Sequence, residues 1–287
     1  MFILCIILTI PFLAFYWRYI DLRNLFLIDV YETRLLFRNI KVPLIGYLVS
    51  PLSRVILPIL IVIFIEKKEK IYAIVSIVLI LIIYLCGSTK SIFIGIIAII
   101  FFYKGNYEKK LERFIKLILL ISISGIIFYY LFNNLFFIDT FIRRLFFLPY
   151  KLENVYFDFF QNNYTYGMHT FLGEIFHSKN YYGELGIYVG KTLMGQVGMN
   201  ANVGVLTEGF LSFGVMGIFI AAILICTFFL IMNSLNIDKK YFGIIFVYIY
   251  YINTSFLFTL MLTHGLMFLI LFSYLFLKDT NKSKINV

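Results

Sequence analysis

Apolar residues in this chain gather into long unbroken runs rather than recurring at the two-residue or 3.6-residue period of a half-buried strand or helix. The runs are 1–17, 42–65, 71–86, 92–103, 117–137, 210–232, 242–258 and 262–277. A helix of about 20 such residues crosses a hydrocarbon core with every backbone group paired within itself. The pattern predicts an all-α polytopic membrane protein with about eight transmembrane helices, forming a single integral domain over 1–287. The run 92–103 is short for a bilayer, so it is expected to thin the membrane locally or to be partly re-entrant. The first run lacks the basic start and small-residue cleavage site of a signal peptide and reads as a retained span.

Composition narrows the choice further. Hydrophobic residues make up 62% of the 287 and charged residues only 14%, against about 25% charged in a soluble domain. A water-soluble enzyme is excluded, and no length is left for a separate soluble catalytic domain. The net charge of +10 implies phosphate-bearing partners, either lipid head groups or a phosphorylated substrate. So apolar a chain excludes nucleic acid. Cys5, Cys86 and Cys226 lie inside apolar runs and read as packing residues.

Basic residues set the orientation. The ends after the second, fourth, sixth and eighth runs carry 13 of them, from Lys67 to Lys284, whereas the short connections on the opposite side carry only Lys90. Both termini are therefore expected in the cytoplasm. The connection 18–41 breaks the rule with five positive charges. In it Arg34 and Arg38 stand four apart on one face of a helix suited to lie in the interface. Snorkelling at the lipid surface and binding of an external anion account for these arginines equally well.

The one long hydrophilic stretch, 138–208, is expected as an extracytoplasmic loop and the place to seek function. Its many aromatic rings suit sugar stacking and suit an interfacial belt. Arg143 and Arg144 are adjacent at its start, and paired guanidiniums offer forked, permanently charged donors to a diphosphate or to lipid phosphate. Further on, "GKTLMGQVGMNANVGVLTEGF" carries Lys191, Asn200, Asn202 and Glu208 into a helix expected to begin near Phe210. Glu208 reads either as a helix-start acid favoured by the dipole or as a general base facing an acceptor hydroxyl. Gly209, Gly214 and Gly217 are expected to allow close helix packing. His169 and His177 with Glu174 match no strong zinc spacing and read as solvated loop residues, and His264 reads as a polar cap at a span end. No nucleotide-binding or paired-cysteine motif occurs.

The succession "RRLFFLP", "YFDFF" and "NANVGVLTEGFLSFGVMG" resembles the bacterial oligosaccharide repeat-unit polymerases of the O-antigen polymerase (Wzy) type, over roughly 31–277. "GSTKS" and "YETRLLFRN" are similar to further features of that family. Members usually have more spans, and this chain would be a shortened one. The resemblance implies a metal-independent, cofactor-free glycosyltransferase of the bacterial cytoplasmic membrane. It would transfer a growing glycan from undecaprenyl diphosphate onto a new lipid-linked repeat unit at the outer face, building O-antigen, capsule or exopolysaccharide. Its partners would be undecaprenyl-diphosphate-linked oligosaccharides and membrane lipids, with a flippase and a chain-length regulator as companions. Under this resemblance Glu208, Arg143 and Arg144 are the catalytic set, and Arg34, Arg38, Lys191, Asn200 and Asn202 the substrate-binding set.

Two other classes use the same residues. A polyprenyl-linked glycan flippase or transporter would bind the anionic head group without forming a bond, though the spans hold almost no charge beyond Arg54 and no internal repeat is evident. A non-catalytic membrane subunit would account for the short chain.

Overall fold

The computed structural model describes residues 2–26, 45–87, 90–135, 138–170, 173, 175–176 and 179–277. Regular structure among these residues is helical, with no strand. Five stretches are long and apolar enough to cross a membrane: Phe2–Tyr19, Tyr47–Glu66, Lys70–Gly87, Tyr107–Phe132 and Val205–Ser234. The protein is an all-α membrane-embedded chain. In order, the helices are α1 (Phe2–Tyr16), α2 (Ile45–Pro51), α3 (Leu57–Glu66), α4 (Lys70–Gly87), α5 (Lys90–Phe102), α6 (Tyr107–Phe132), α7 (Leu148–Phe160), α8 (Leu185–Thr192), α9 (Val205–Ser234), α10 (Phe242–Thr254) and α11 (Leu266–Phe272). The runs 92–103, 242–258 and 262–277 thus fall in shorter helical pieces. The last is interrupted at Gly265, whose left-handed backbone (φ +79°) starts α11 afresh. Two compact units make up the chain, one of Met1–Lys104, Leu230–Ile249 and Thr259–Val287, the other of Gly105–Phe229 and Tyr250–Phe258.

In the first unit, α2 passes into α3 through a widened turn at Leu52–Ile56 between Pro51 and Pro58. Pro58 has no N–H for the Arg54 carbonyl, so the α-helical ladder breaks locally and the turn opens. Six consecutive residues of α3, Leu57 to Val62, are buried, as expected of a helix apolar on every side. Lys68 (φ +60°) ends α3 and the chain returns at once into α4, which lays Ser76, Ile80, Ile83 and Tyr84 inward. The Tyr84 hydroxyl donates to the Asn24 carbonyl at 2.8 Å. Gly243 on α10 presses against the Ala98 and Ile99 backbone of α5, a close approach that no side chain would permit.

His264 is better supplied with polar neighbours than the sequence suggests. Arg54 Nη1 meets its Nδ1 and donates to the Ser50 hydroxyl (2.7 Å) and the Thr263 carbonyl (3.2 Å). The Tyr248 hydroxyl donates to the His264 carbonyl at 2.6 Å. Arg54 and Tyr248 come from elsewhere in the chain, so the expected polar cap at the span end has partners that the local sequence does not show.

In the second unit, α6 begins at Tyr107, ten residues before the apolar run, because Tyr107 to Lys116 continue the helix with an i,i+4 Glu112–Lys116 pair. It stops where Asn133 turns left-handed (φ +47°). Helix α7 buries Leu152, Tyr156 and Phe160, one residue per turn, against Leu185 and Val189 of α8. Gly186 and Gly190 on α8 admit the segment 199–202 directly onto the helix, Asn200 and Asn202 over Gly186 and Met199 over Gly190. The Ala201 N–H donates to the Gly186 carbonyl at 2.9 Å. This packing makes part of the hydrophilic stretch a folded layer with its own core.

Candidate functional site

The site is built around the first turns of α9. Gly204 lets the chain lie against the Ile252 carbonyl and the Asn253 backbone, where a β-carbon would come within 2.9 Å. The helix therefore starts at Val205, earlier than the expected Phe210, and Glu208 falls in its first turn. Two turns later the helix breaks, at Phe213 (φ −140°, ψ 21°) and Gly214 (φ +63°, ψ −144°). Such a break strands the last carbonyls of the first half. The loop before α8 satisfies them: the Thr165 N–H donates to Leu211 O (2.8 Å) and the Tyr166 N–H to Ser212 O (3.1 Å).

That docking brings a histidine to the carboxylate. The Thr165 hydroxyl lies 2.9 Å from His169 Nδ1 and 3.2 Å from the Leu211 carbonyl. His169 Nε2 lies 3.4 Å from Glu208 Oε1, with the two side chains 2% and 7% exposed. The other carboxylate oxygen, Oε2, accepts the Leu257 N–H. A carboxylate this buried costs several kcal/mol unless donors surround it, and here a backbone amide and an imidazole face its two oxygens. Glu208 thus accepts from the Leu257 amide and lies beside His169 while sitting in the first turn of its own helix. Phe256 sets its ring edge-on to His169, with centroids 5.7 Å apart. The Tyr156 hydroxyl donates to Ala201 O at 2.8 Å, and burial, followed by the Glu208 charge, pushes its phenol above the usual range.

A cavity of about 560 Å³ opens on Glu208. Loop residues Tyr166, Met168, Thr170 and Phe176 form one wall. The other is formed by α9, from Glu208 past Ser212, Phe213 and Gly217 to Leu224, and Leu257 and Phe258 close it. The lining is apolar apart from Glu208, Ser212, Thr170 and the Tyr166 hydroxyl, so a reacting hydroxyl placed there would meet the carboxylate among mostly apolar side chains. A buried carboxylate with one face on a cavity can accept a proton from a bound hydroxyl.

The remaining expected site residues lie elsewhere. Arg143, in the turn Ile138–Phe147, is exposed and pairs with Asp139 at 3.4 Å. Arg144 belongs to the same turn. Lys191 is exposed on the last turn of α8. Asn200 and Asn202 set their side-chain oxygens over Gly186, which gives them a packing role against α8. None of Arg143, Lys191, Asn200 and Asn202 lines the cavity. Arg34, Arg38, Glu174 and His177 lie outside the described residues.

His169 corrects the reading of a solvated loop residue: it is almost wholly buried, because docking of the loop onto the broken helix covers it. Thr165, His169 and the Leu257 amide were not legible as partners of Glu208. The only local signal was a threonine four residues before a histidine in a Gly- and Tyr-rich loop. Comparison with models of known families, with curated proteins and with solved structures gives no match.

Proposed function

We propose that the protein polymerises undecaprenyl-diphosphate-linked oligosaccharide repeat units into a surface polysaccharide, by glycosyl transfer at the outer face of the bacterial cytoplasmic membrane. In this reading about eight spans leave both termini in the cytoplasm and the stretch 138–208 outside. The observation that carries it is the buried Glu208 carboxylate, opening onto a cavity at the start of a membrane-spanning helix. Glu208 takes the proton of the acceptor hydroxyl as that oxygen attacks the donor sugar, and the diphosphate leaves. Arg143 and Arg144 hold the leaving diphosphate through charge-assisted, forked hydrogen bonds. Arg34, Arg38 and Lys191 serve the lipid-linked anions from the membrane surface. No metal enters the scheme. The sequence resemblance supports the substrate class, and the net positive charge supports the anionic leaving group.

The test uses purified protein in lipid nanodiscs with lipid-linked repeat units and no added metal, comparing wild type with Glu208→Gln by the ladder of products. Wild type is expected to extend the ladder. The glutamine variant keeps the shape and the Leu257 contact but loses the base, so its turnover falls while the protein still accumulates. Normal ladders from the variant remove Glu208 from the mechanism. No ladder from wild type rejects polymerisation, and flux of the lipid-linked unit without a new bond would point to transport.

A further inference from the structure

We infer that His169 is a positioning residue for Glu208, held by Thr165 in the tautomer whose Nε2–H faces the carboxylate; this rests on Glu208 acting as the base. The Thr165 hydroxyl has one proton and two acceptors in reach, His169 Nδ1 at 2.9 Å and Leu211 O at 3.2 Å. If the hydroxyl donates to Nδ1, a neutral ring carries its proton on Nε2, the nitrogen that lies 3.4 Å from Glu208 Oε1. If it donates to Leu211 instead, Nδ1 of a neutral ring becomes the donor and an Nε2 lone pair is left toward the lone pairs of a carboxylate oxygen, which gives that oxygen no donor. The first arrangement satisfies Glu208 and the second does not.

Burial makes that choice matter. The His169 side chain is 2% exposed, its Nε2 makes no hydrogen bond of normal geometry with any described residue, and among the described residues Glu208 is its acidic neighbour, at 3.4 Å. The Leu257 amide fixes Oε2 on the far side, and Tyr156 is the other titratable group that senses the Glu208 charge. A carboxylate pinned at one oxygen and steered at the other keeps a fixed orientation toward the cavity. His169 itself does not line the cavity. It therefore acts through Glu208 without touching substrate.

The chain has three histidines, which makes the ring directly observable. Full-length protein in lipid nanodiscs, labelled with ring-15N histidine, is examined by NMR, and the His169 signals are identified by their loss in His169→Gln. The expected spectrum has a protonated Nε2 and an unprotonated Nδ1, and Thr165→Val mixes the tautomers. A wild-type spectrum with the proton on Nδ1 overturns the inference. In the polymerisation assay, His169→Phe is expected to lower kcat on the order of 10- to 100-fold, the usual cost of losing an orienting partner, with KM within about twofold. His169→Gln, which keeps an N–H near the same place, recovers most of kcat. Wild-type kcat in His169→Phe, or equal loss in both variants, also overturns it. If His169→Phe fails to reach the membrane, Thr165→Val carries the kinetic test, with a smaller fall of the same kind expected and unchanged kcat counting against the inference. If wild type makes no polymer, the polymerase reading fails and the spectrum alone decides the tautomer.

Discussion

Gly209 and Gly217 touch backbone to backbone, although a straight helix would hold residues eight apart about 12 Å from each other along its axis. The break at Phe213 and Gly214 folds the first two turns of α9 back against the rest, and the glycines form the seam, with Ala221 beside them. The fold-back presents Glu208 to the loop residue His169 while the helix continues as a long apolar span.

The seam predicts an intolerance to a single methyl group. A β-carbon on Gly217 would overlap the Gly209 carbonyl, which is backbone and has nowhere to go. Gly217→Ala and Gly209→Ala should each destabilise the protein by about 1–3 kcal/mol, read as a lowered midpoint for thermal aggregation in detergent. Gly95→Ala is the control. Its site is open, and alanine in a helix interior should be neutral or stabilise slightly. Equal midpoints for all three variants would refute the seam.

Gly214 is constrained by conformation as well as space. Its φ of +63° with ψ of −144° belongs to a region open essentially to glycine alone, and a β-carbon would come within 2.9 Å of the Tyr164 ring. Gly214→Ala is expected to cost about 1–3 kcal/mol. Asparagine should not rescue it, because asparagine tolerates the left-handed helical region and not this one. A Gly214→Asn variant as stable as wild type would show that the break is not as described.

Orientation is tested by thiol labelling. Asn162 follows α7 and Asn106 precedes α6, and both are exposed. Cysteine at position 162, in a Cys226→Ser background, should react with an impermeant maleimide in intact cells, whereas cysteine at 106 should react only after the membrane is opened. The reverse pattern would place the stretch 138–208 in the cytoplasm and end the proposed reaction geometry.

Arg143 is exposed, with its Asp139 partner also largely in solvent, a pairing worth under about 1 kcal/mol and easily exchanged for a diphosphate. Arg143→Ala and Arg144→Ala are expected to abolish most polymer in a strain lacking its own polymerase, with protein levels unchanged. Lysine should restore part, since it keeps the charge and loses the fork. Full polymer from either alanine variant would reduce that arginine to a lipid anchor.

Hydropathy, a one-dimensional property, carries the large features. Runs of apolar residues dictate an all-α membrane protein, because hydrocarbon demands that each backbone group be paired within its own helix; of the eight runs, five coincide among the described residues with helices long and apolar enough to cross a membrane. Gly209 and Gly217 were readable as close-packing positions, since only a missing side chain lets backbones meet, whereas Gly214, read the same way, breaks the helix instead. Glu208 stood out as an acid at the edge of a span.

Its surroundings depended on tertiary structure. The helix start moved to Val205 because Gly204 packs on the Asn253 backbone, and the helix broke at Gly214 with the loop at Thr165 capping the exposed carbonyls. Those contacts join residues 46 positions apart, and no local pattern in either segment encodes the other. Burial of the His169 side chain against Glu208, and the placing of Arg54 beside His264, follow from such pairings. A residue's polarity is written in the chain, but whether water or another side chain answers it is settled only when distant segments pack.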